Sequence, residues 1–372
     1  MQQPPPRCMA ISVSARGEAD LVASLSCKCS ANISAQELAC FLLQPVRLSW
    51  RSQPGRLPSP YGGRSAILLA MHRILPFVAL LTTLTTAVAQ LPHHTGTLHT
   101  PQVDLGYETF GALSSSVPVI AINGGPGLSH AYMMQNDLWQ RVAANRLVVL
   151  YDQRGTGSSK HLQKNAPQTM DAQVADLEAV RDGLHLDKVA LVGDSYGGLL
   201  ALAYAVAYPQ HVIRLVLSDT LASWNSIVHL FPQVFPDIEQ KAEADDKRLA
   251  ADPEAMAQQG LRNHFTMIFY SPAKRDEYMS HMGDIGFVPE VGDAVSKATE
   301  GLDLTPKLPG LKMPTLVLNG RYDMNVAPLT AWRMAKAIPG AKVVFFEQSG
   351  HLPSYEEPEK YLQVLNDFLN QR

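Results

Sequence analysis

The tightest constraint in this chain is the hexapeptide Gly193-Asp194-Ser195-Tyr196-Gly197-Gly198, set between the apolar run 189–192 and the apolar stretch 199–207. A short apolar run bounded by glycine reads as a buried strand, and the longer stretch that follows reads as a helix. The two then join through one sharp turn, whose flanking positions need glycine because a Cβ would clash. Such a turn lifts the Ser195 hydroxyl clear of the sheet at the positive end of the helix. G-x-S-x-G in a strand–turn–helix context is the elbow that presents a nucleophilic serine. The bland alternative is a glycine-rich turn carrying an ordinary serine.

The rest of the chain after residue 90 supplies a sheet to hold that turn. The runs 117–122, 147–151, 189–192, 215–218, 315–319 and 343–346 are continuously apolar, as expected for strands covered on both faces. Between them, 170–184 carries Val174, Leu177, Val180 and Leu184 at helical spacing. A last helix follows Pro358, with Tyr361, Leu362, Val364, Leu365, Phe368 and Leu369 on one face. Alternating strands and helices imply an α/β fold with a mostly parallel sheet. The rhythm breaks over 221–311, where helix-compatible stretches such as 237–250 and 253–269 occur with Trp224, Phe231, Phe235, Phe265, Phe269 and Tyr270. That interval reads as a helical cap inserted into a core made of 90–220 and 312–372.

A serine at its free pKa is a weak nucleophile and needs a base, itself oriented by an acid. In folds of this class the order along the chain is Ser, acid, His. Asp323 lies just past the strand 315–319 and His351 just past 343–346, both at carboxyl ends of strands, where ligands bind in open α/β sheets. Of the eleven histidines after residue 90, His351 stands out by this position. Asp219, at the end of the preceding strand, is the alternative acid. Acyl transfer also needs backbone N–H donors for an oxyanion. Asn123-Gly124-Gly125-Pro126-Gly127 directly follows a strand, so one donor is assigned to Gly125, with Gly124 as alternative, and the other to Tyr196.

Taken together, these strings resemble the α/β-hydrolase superfamily and, within it, the proline iminopeptidase-like serine peptidases. The likeness rests on the loop 123–127, on Asp152-Gln153-Arg154-Gly155-Thr156-Gly157-Ser158, on the elbow, and on Gly320-Arg321-Tyr322-Asp323, spread in the expected order over 100–370. It implies an α/β-hydrolase fold whose helical cap follows the sixth strand, with Ser195, Asp323 and His351 as nucleophile, acid and base. It also implies release of an N-terminal residue, often proline, from a short peptide or amide substrate, the free amine being held by cap carboxylates. Glu239, Glu243, Glu254, Glu277 and Glu290 are the acids the cap offers, none matched to a family position. The chain departs from the family at Asn123, where His is usual, and at Tyr196, where Trp is typical. Arg154 is expected to tie loops near the site. An esterase or lactonase with the same triad, or a slow-turnover binding protein on this fold, is the rival reading.

Charge and cysteine content matter because they are uneven. Up to Ala89 there are eight Lys/Arg against three Asp/Glu; afterwards the numbers are 23 against 31. All four cysteines, Cys8, Cys27, Cys29 and Cys40, fall in the first part. Met71-His72-Arg73, the apolar run 74–89 and the closing Ala87-Val88-Ala89 describe a secretory signal peptide over 71–89, cleaved after Ala89. At about 16 residues the run is short of a membrane span, so no stable span is expected after cleavage. Residues 1–70 then read as a non-native or disordered extension ahead of a start at Met71, with a transit-like leader or signal anchor as alternatives. The mature protein is expected to be secreted or periplasmic. No clustered basic face suggests nucleic acid, no His/Cys/Asp/Glu spacing suggests a metal, and no phosphate or dinucleotide loop suggests a cofactor.

Overall fold

The computed structural model describes residues 11–16, 20–25, 91–281, 283 and 285–371. The expected signal peptide lies outside the described residues, as does most of 1–70. Within the latter, Ile11–Arg16 and Asp20–Leu25 pair as an antiparallel hairpin. The chain divides into two units, 1–86 and 87–372, and the second contains everything described below.

Its eight strands are β1 His93–His99, β2 Asp104–Phe110, β3 Val119–Ile122, β4 Val148–Tyr151, β5 Val189–Asp194, β6 Val212–Ser218, β7 Thr315–Gly320 and β8 Lys342–Phe346. Across the sheet the order is β8-β7-β6-β5-β3-β4-β2-β1, parallel from β8 to β4 and antiparallel at the β2 and β1 edge. The sheet is thus mostly parallel, as expected. The two edge strands are additional to the six expected from apolar runs. β1 is mostly exposed and built from His, Thr and Gly apart from Leu98, so it offers no continuous apolar run to read.

Among the described residues eleven α-helices accompany the sheet: α1 Leu138–Val142, α2 Met170–Gly183, α3 Tyr196–Ala207, α4 Phe231–Val234, α5 Pro236–Leu249, α6 Pro253–Met267, α7 Pro272–His281, α8 Pro289–Ala298, α9 Pro328–Ala337, α10 Pro353–Glu356 and α11 Pro358–Leu369. Alternate residues of each central strand point to opposite faces. Ile120 and Ile122 therefore join Leu177, Leu199, Leu202 and Met334 beneath α2, α3 and α9. Val119 and Ala121 join Trp139, Phe346, Tyr361 and Phe368 beneath α1 and α11. Burial on both faces is why β3 to β7 carry no polar alternation. Helices α4 to α8 all fall between β6 and β7. Their aromatic side chains Phe231, Phe265 and Tyr278, with Phe269 from the link between α6 and α7, pack with Leu128, Tyr132, Leu352 and Tyr355 over the carboxyl ends of the strands.

A charge cluster fastens the antiparallel edge to the loop after β3. The His130 ring sits between Asp152, just past β4, and Glu108 on β2, at 2.8 and 3.1 Å. Asp152 also accepts from the His130 N–H and from the Ser158 N–H and hydroxyl. Burial alone would lower the basicity of His130, but the two carboxylates outweigh it and lift its pKa from the ordinary 6.5 to about 9. The folded state therefore binds this proton more tightly than the unfolded one. Its contribution to stability is complete below pH 6.5 and is lost as pH rises through 9. Calorimetric melting of the full-length protein should show Tm declining between those limits, with a shallower decline in His130→Gln. Parallel curves for the two proteins would exclude the cluster as the source.

Candidate active site

Ser195 sits between the last residue of β5 and the first of α3 with φ 51° and ψ −122°. The turn is this sharp because α3 starts almost in contact with two strands. A Cβ on Gly197 would stand 2.3 Å from the Ile122 carbonyl oxygen, and one on Gly198 would stand 2.4 Å from the Thr220 hydroxyl. Only glycine permits that approach. The serine hydroxyl consequently stands above the ends of β3, β5 and β6, beside the first, unpaired N–H groups of a helix.

The predicted acid and base converge on it from beyond the cap. The Ser195 hydroxyl lies 2.9 Å from Nε2 of His351, and Nδ1 of that ring lies 2.7 Å from an Asp323 carboxylate oxygen. Asp323 has no exposed surface and His351 is 4% exposed. The second Asp323 oxygen accepts from the Asn325 and Val326 N–H groups, at 2.9 and 2.8 Å. That turn holds the carboxylate so that only its other oxygen meets the imidazole. With Nδ1–H donated to Asp323, Nε2 is left as the acceptor facing Ser195, with the Asn325 amide 3.3 Å away. Burial works against a charge on the ring, yet Asp323 together with Asp219 and Asp194 raises its pKa from 6.5 to about 9.

Asp219, the alternative acid, is close but otherwise engaged. One oxygen accepts from the Gly320 N–H at 2.8 Å and the other from the Ser218 hydroxyl at 2.8 Å, locking the end of β6 to the end of β7. Burial and the neighbouring Asp323 charge push its carboxyl well above the ordinary range. Asp219, Asp323 and His351 bring one nitrogen and two carboxylate oxygens within 4.8 Å of one another, a grouping that the Asp323–His351 hydrogen bond already explains.

The loop after β3 turns beneath the serine. Gly125 has φ 116°, a region that disfavours any side chain. Among the described residues neither its N–H nor that of Tyr196, the first residue of α3, has a hydrogen-bond acceptor, so both expected oxyanion donors are free. The Gly124 N–H is not, because it donates to the Tyr132 hydroxyl at 2.6 Å. Asn123 closes the loop by donating from its side-chain amide to the carbonyls of Gly124 and Leu128. Gly125, Ser195, His351, Asp194 and Tyr132 line a chamber of about 180 Å³, walled by Leu128, Leu221, Trp224, Ile227, His264, Phe265, Ile268, Asn325 and Val326.

The remaining expected residues lie elsewhere. Arg154 is buried and bidentate on Asp176 of α2, and it also donates to the carbonyls of Pro167 and Ala172. It ties loops together, as expected. Glu254 and Glu290 line a larger cleft of about 880 Å³, which shares Gly125, Leu128 and His264 with the chamber. Glu277 pairs with Lys274 at 3.0 Å, and Glu239 and Glu243 line neither space. The chamber itself holds one carboxylate, Asp194, hydrogen-bonded to the Tyr132 hydroxyl. Tyr132 has no motif of its own and escapes a reading of the sequence.

The matches to known proteins agree with this geometry. Residues 117–358 match the family described as the alpha/beta hydrolase fold. Proline iminopeptidase from Lactobacillus delbrueckii subsp. bulgaricus is 32% identical over 281 residues, covering 70% of this chain and 92% of the relative. The proline iminopeptidase of Saccharolobus solfataricus is 29% identical over 286 residues, covering 72% and 90%. Among solved structures, the enol-lactonase from Burkholderia xenovorans LB400 superposes with a TM-score of 0.60 at 22% identity, over 74% of this chain and 100% of that one. A thermophilic esterase from Thermogutta terrifontis gives 0.56 at 26%, over 76% and 98%. The chain belongs to the α/β-hydrolase fold family and is a proline iminopeptidase-like hydrolase.

Proposed function

We propose that the chain is a serine hydrolase that works through an acyl-enzyme and releases N-terminal residues from short peptides or amino-acid amides. The observation that carries the reading is the buried relay from Asp323 through His351 to Ser195. Ser195 Oγ forms a bond to the substrate carbonyl carbon while its proton passes to His351 Nε2. The oxyanion so formed accepts from the Gly125 and Tyr196 N–H groups. His351 then protonates the departing amine as the carbonyl–nitrogen bond breaks. Water repeats the sequence in reverse, giving its proton to His351 and freeing the acid and Ser195. Asp323 holds the ring in one tautomer and stabilises its cationic form.

The peptide reading is supported by the proline iminopeptidases at about 30% identity. A second reading, hydrolysis of esters or lactones by the same relay, is favoured by the chamber wall. Its one carboxylate is taken by Tyr132. The lining histidine besides His351 is His264, which burial and then the neighbouring His351 and His229 push down to about 3, leaving it neutral. An ammonium seated there would meet a single carboxylate, Asp194, one oxygen of which already accepts from Tyr132, whereas an uncharged acyl group needs no counter-charge. Export after cleavage at Ala89 is part of the same proposal, and N-terminal sequencing of the native protein tests it: the expected first residue is Gln90.

Ser195→Ala should abolish hydrolysis while leaving Tm and circular dichroism near wild type, and a fluorophosphonate probe should label wild type at Ser195 alone. Failure to label would overturn the mechanism. Asp323→Asn should lower kcat by about 10⁴. Because the Asp323 charge raises the His351 pKa, its loss should also move the acid limb of kcat/KM to lower pH. Comparing proline arylamide with p-nitrophenyl esters separates the two substrate readings. Arylamide turnover exceeding ester turnover in kcat/KM supports aminopeptidase action, and the reverse order supports the ester reading.

A further inference from the structure

One phenol joins the oxyanion loop to the strand that carries the nucleophile, beside the Gln153 side-chain amide that donates to the Asn123 carbonyl at 2.6 Å. The Tyr132 hydroxyl accepts the Gly124 N–H at 2.6 Å and donates to the carboxylate of Asp194, the residue just before the nucleophile. The ring is 5% exposed and lines the chamber. Its backbone carbonyl accepts the Tyr278 hydroxyl at 2.9 Å. Tyr278 belongs to α7, stacks on Phe265 at 5.5 Å and meets Tyr355 edge-on at 4.9 Å. Two backbone bonds run in parallel, from the Val288 N–H to the Gly127 carbonyl at 2.8 Å and from the Ser129 N–H to the Ile285 carbonyl at 3.2 Å.

The Gly124 N–H is part of the Asn123–Gly124 peptide, while the Gly124 carbonyl, which shares the next peptide with the Gly125 N–H, accepts from the Asn123 side-chain amide at 3.0 Å. Without its bond to the phenol, Gly124 could swing about its own φ and ψ, since glycine restrains neither. An oxyanion donor works only when it is held in place before the charge develops. We propose that Tyr132 is a positioning residue for the oxyanion loop: its hydroxyl, seated between Asp194 and Gly124, fixes the Asn123–Gly124 peptide, so that Gly124, its carbonyl held by the Asn123 amide, presents the Gly125 N–H to the carbonyl under attack. Tyr278 holds Tyr132 from the cap, so the seating of α7 sets the same donor. A buried phenol suits this task. Burial, and then the Asp194 charge, push its ionisation well above the ordinary 10, so the hydroxyl keeps the proton it donates.

The inference rests on attack by Ser195 as proposed above, and two readouts separate its failure from failure of that reading. The first needs no substrate: amide exchange at Gly124, followed by NMR of the full-length protein with isotope-labelled glycine. Gly124 should be protected in wild type and in Asp194→Asn, which keeps an acceptor for the phenol. It should exchange faster in Tyr132→Phe and Asp194→Ala. The second is kinetic. Tyr132→Phe should lower kcat on the order of 10–10² fold with KM nearly unchanged, and should weaken binding of a boronic acid that mimics the tetrahedral intermediate by the same factor. Tyr278→Phe should move both in the same direction by less. A wild-type rate in Tyr132→Phe, a rise in KM alone, or unchanged exchange at Gly124 would each overturn the proposal. Absence of turnover and of Ser195 labelling in wild type would overturn the hydrolase reading instead, while the exchange experiment still decides whether Tyr132 holds the loop.

Discussion

Everything at the carboxyl edge of this sheet depends on how closely α3 is allowed to approach it. The first turn of the helix touches the backbone at the end of β3 and a side chain just past β6, so the chain must reverse within one residue. Ser195 is that residue, and its positive φ is the geometric result. With the reversal in place, the first N–H of the helix and the loop after β3 are brought to the same point. Relaxing the contact with a larger residue at Gly197 or Gly198 would separate nucleophile from oxyanion donors. The catalytic arrangement is thus a packing constraint before it is an electrostatic one.

Electrostatics then sorts the acids around a single imidazole. Three carboxylates, Asp194, Asp219 and Asp323, influence His351, and the structure distinguishes them by their partners. Asp323 faces Nδ1 and is held by two backbone N–H groups. Asp219 spans two strand ends, and its burial beside Asp323 favours the neutral form. Asp194 is turned toward a phenol, and burial raises it to about 6. A buried site can tolerate three acids near one base only if they do not all carry charge at once. Division of labour among them follows from hydrogen-bond donors, not from distance to the histidine.

The parts of this arrangement legible in the sequence were those fixed by backbone geometry. Glycines bracketing Ser195 and following β3, and the order of acid and base after successive strands, announce themselves because few other residues fit there. The central strands were legible because burial on both faces removes polar residues from them. β1 was not, since an edge exposed to water accepts His93 and Thr95 as readily as valine, and β2, though paired on both sides, carries Gly106, Glu108 and Thr109 among its apolar residues and so forms no continuous apolar run. Helix α7 was also unread, because Lys274, Arg275, Asp276 and Glu277 leave it little apolar periodicity, and α8, although Val291, Ala294, Val295 and Ala298 recur at helical spacing, is only ten residues long and carries Gly292 inside it. Tyr132 illustrates a further limit. Its part depends on where its hydroxyl reaches, and that is set by the path of a loop and by Tyr278, 146 residues away in sequence.

The insertion of the cap between β6 and β7 has a consequence for how the protein is made. Serine and base are separated by 156 residues, with all five cap helices between them. A nascent chain can complete β5, the elbow and α3 and still hold a serine with no base. Reactivity therefore arrives late in synthesis, after the cap that will cover the serine has been laid down. A chain cut anywhere between α4 and β8 keeps the nucleophile turn and the oxyanion loop but is chemically silent, so the topology itself keeps unfinished copies from acting as stray hydrolases.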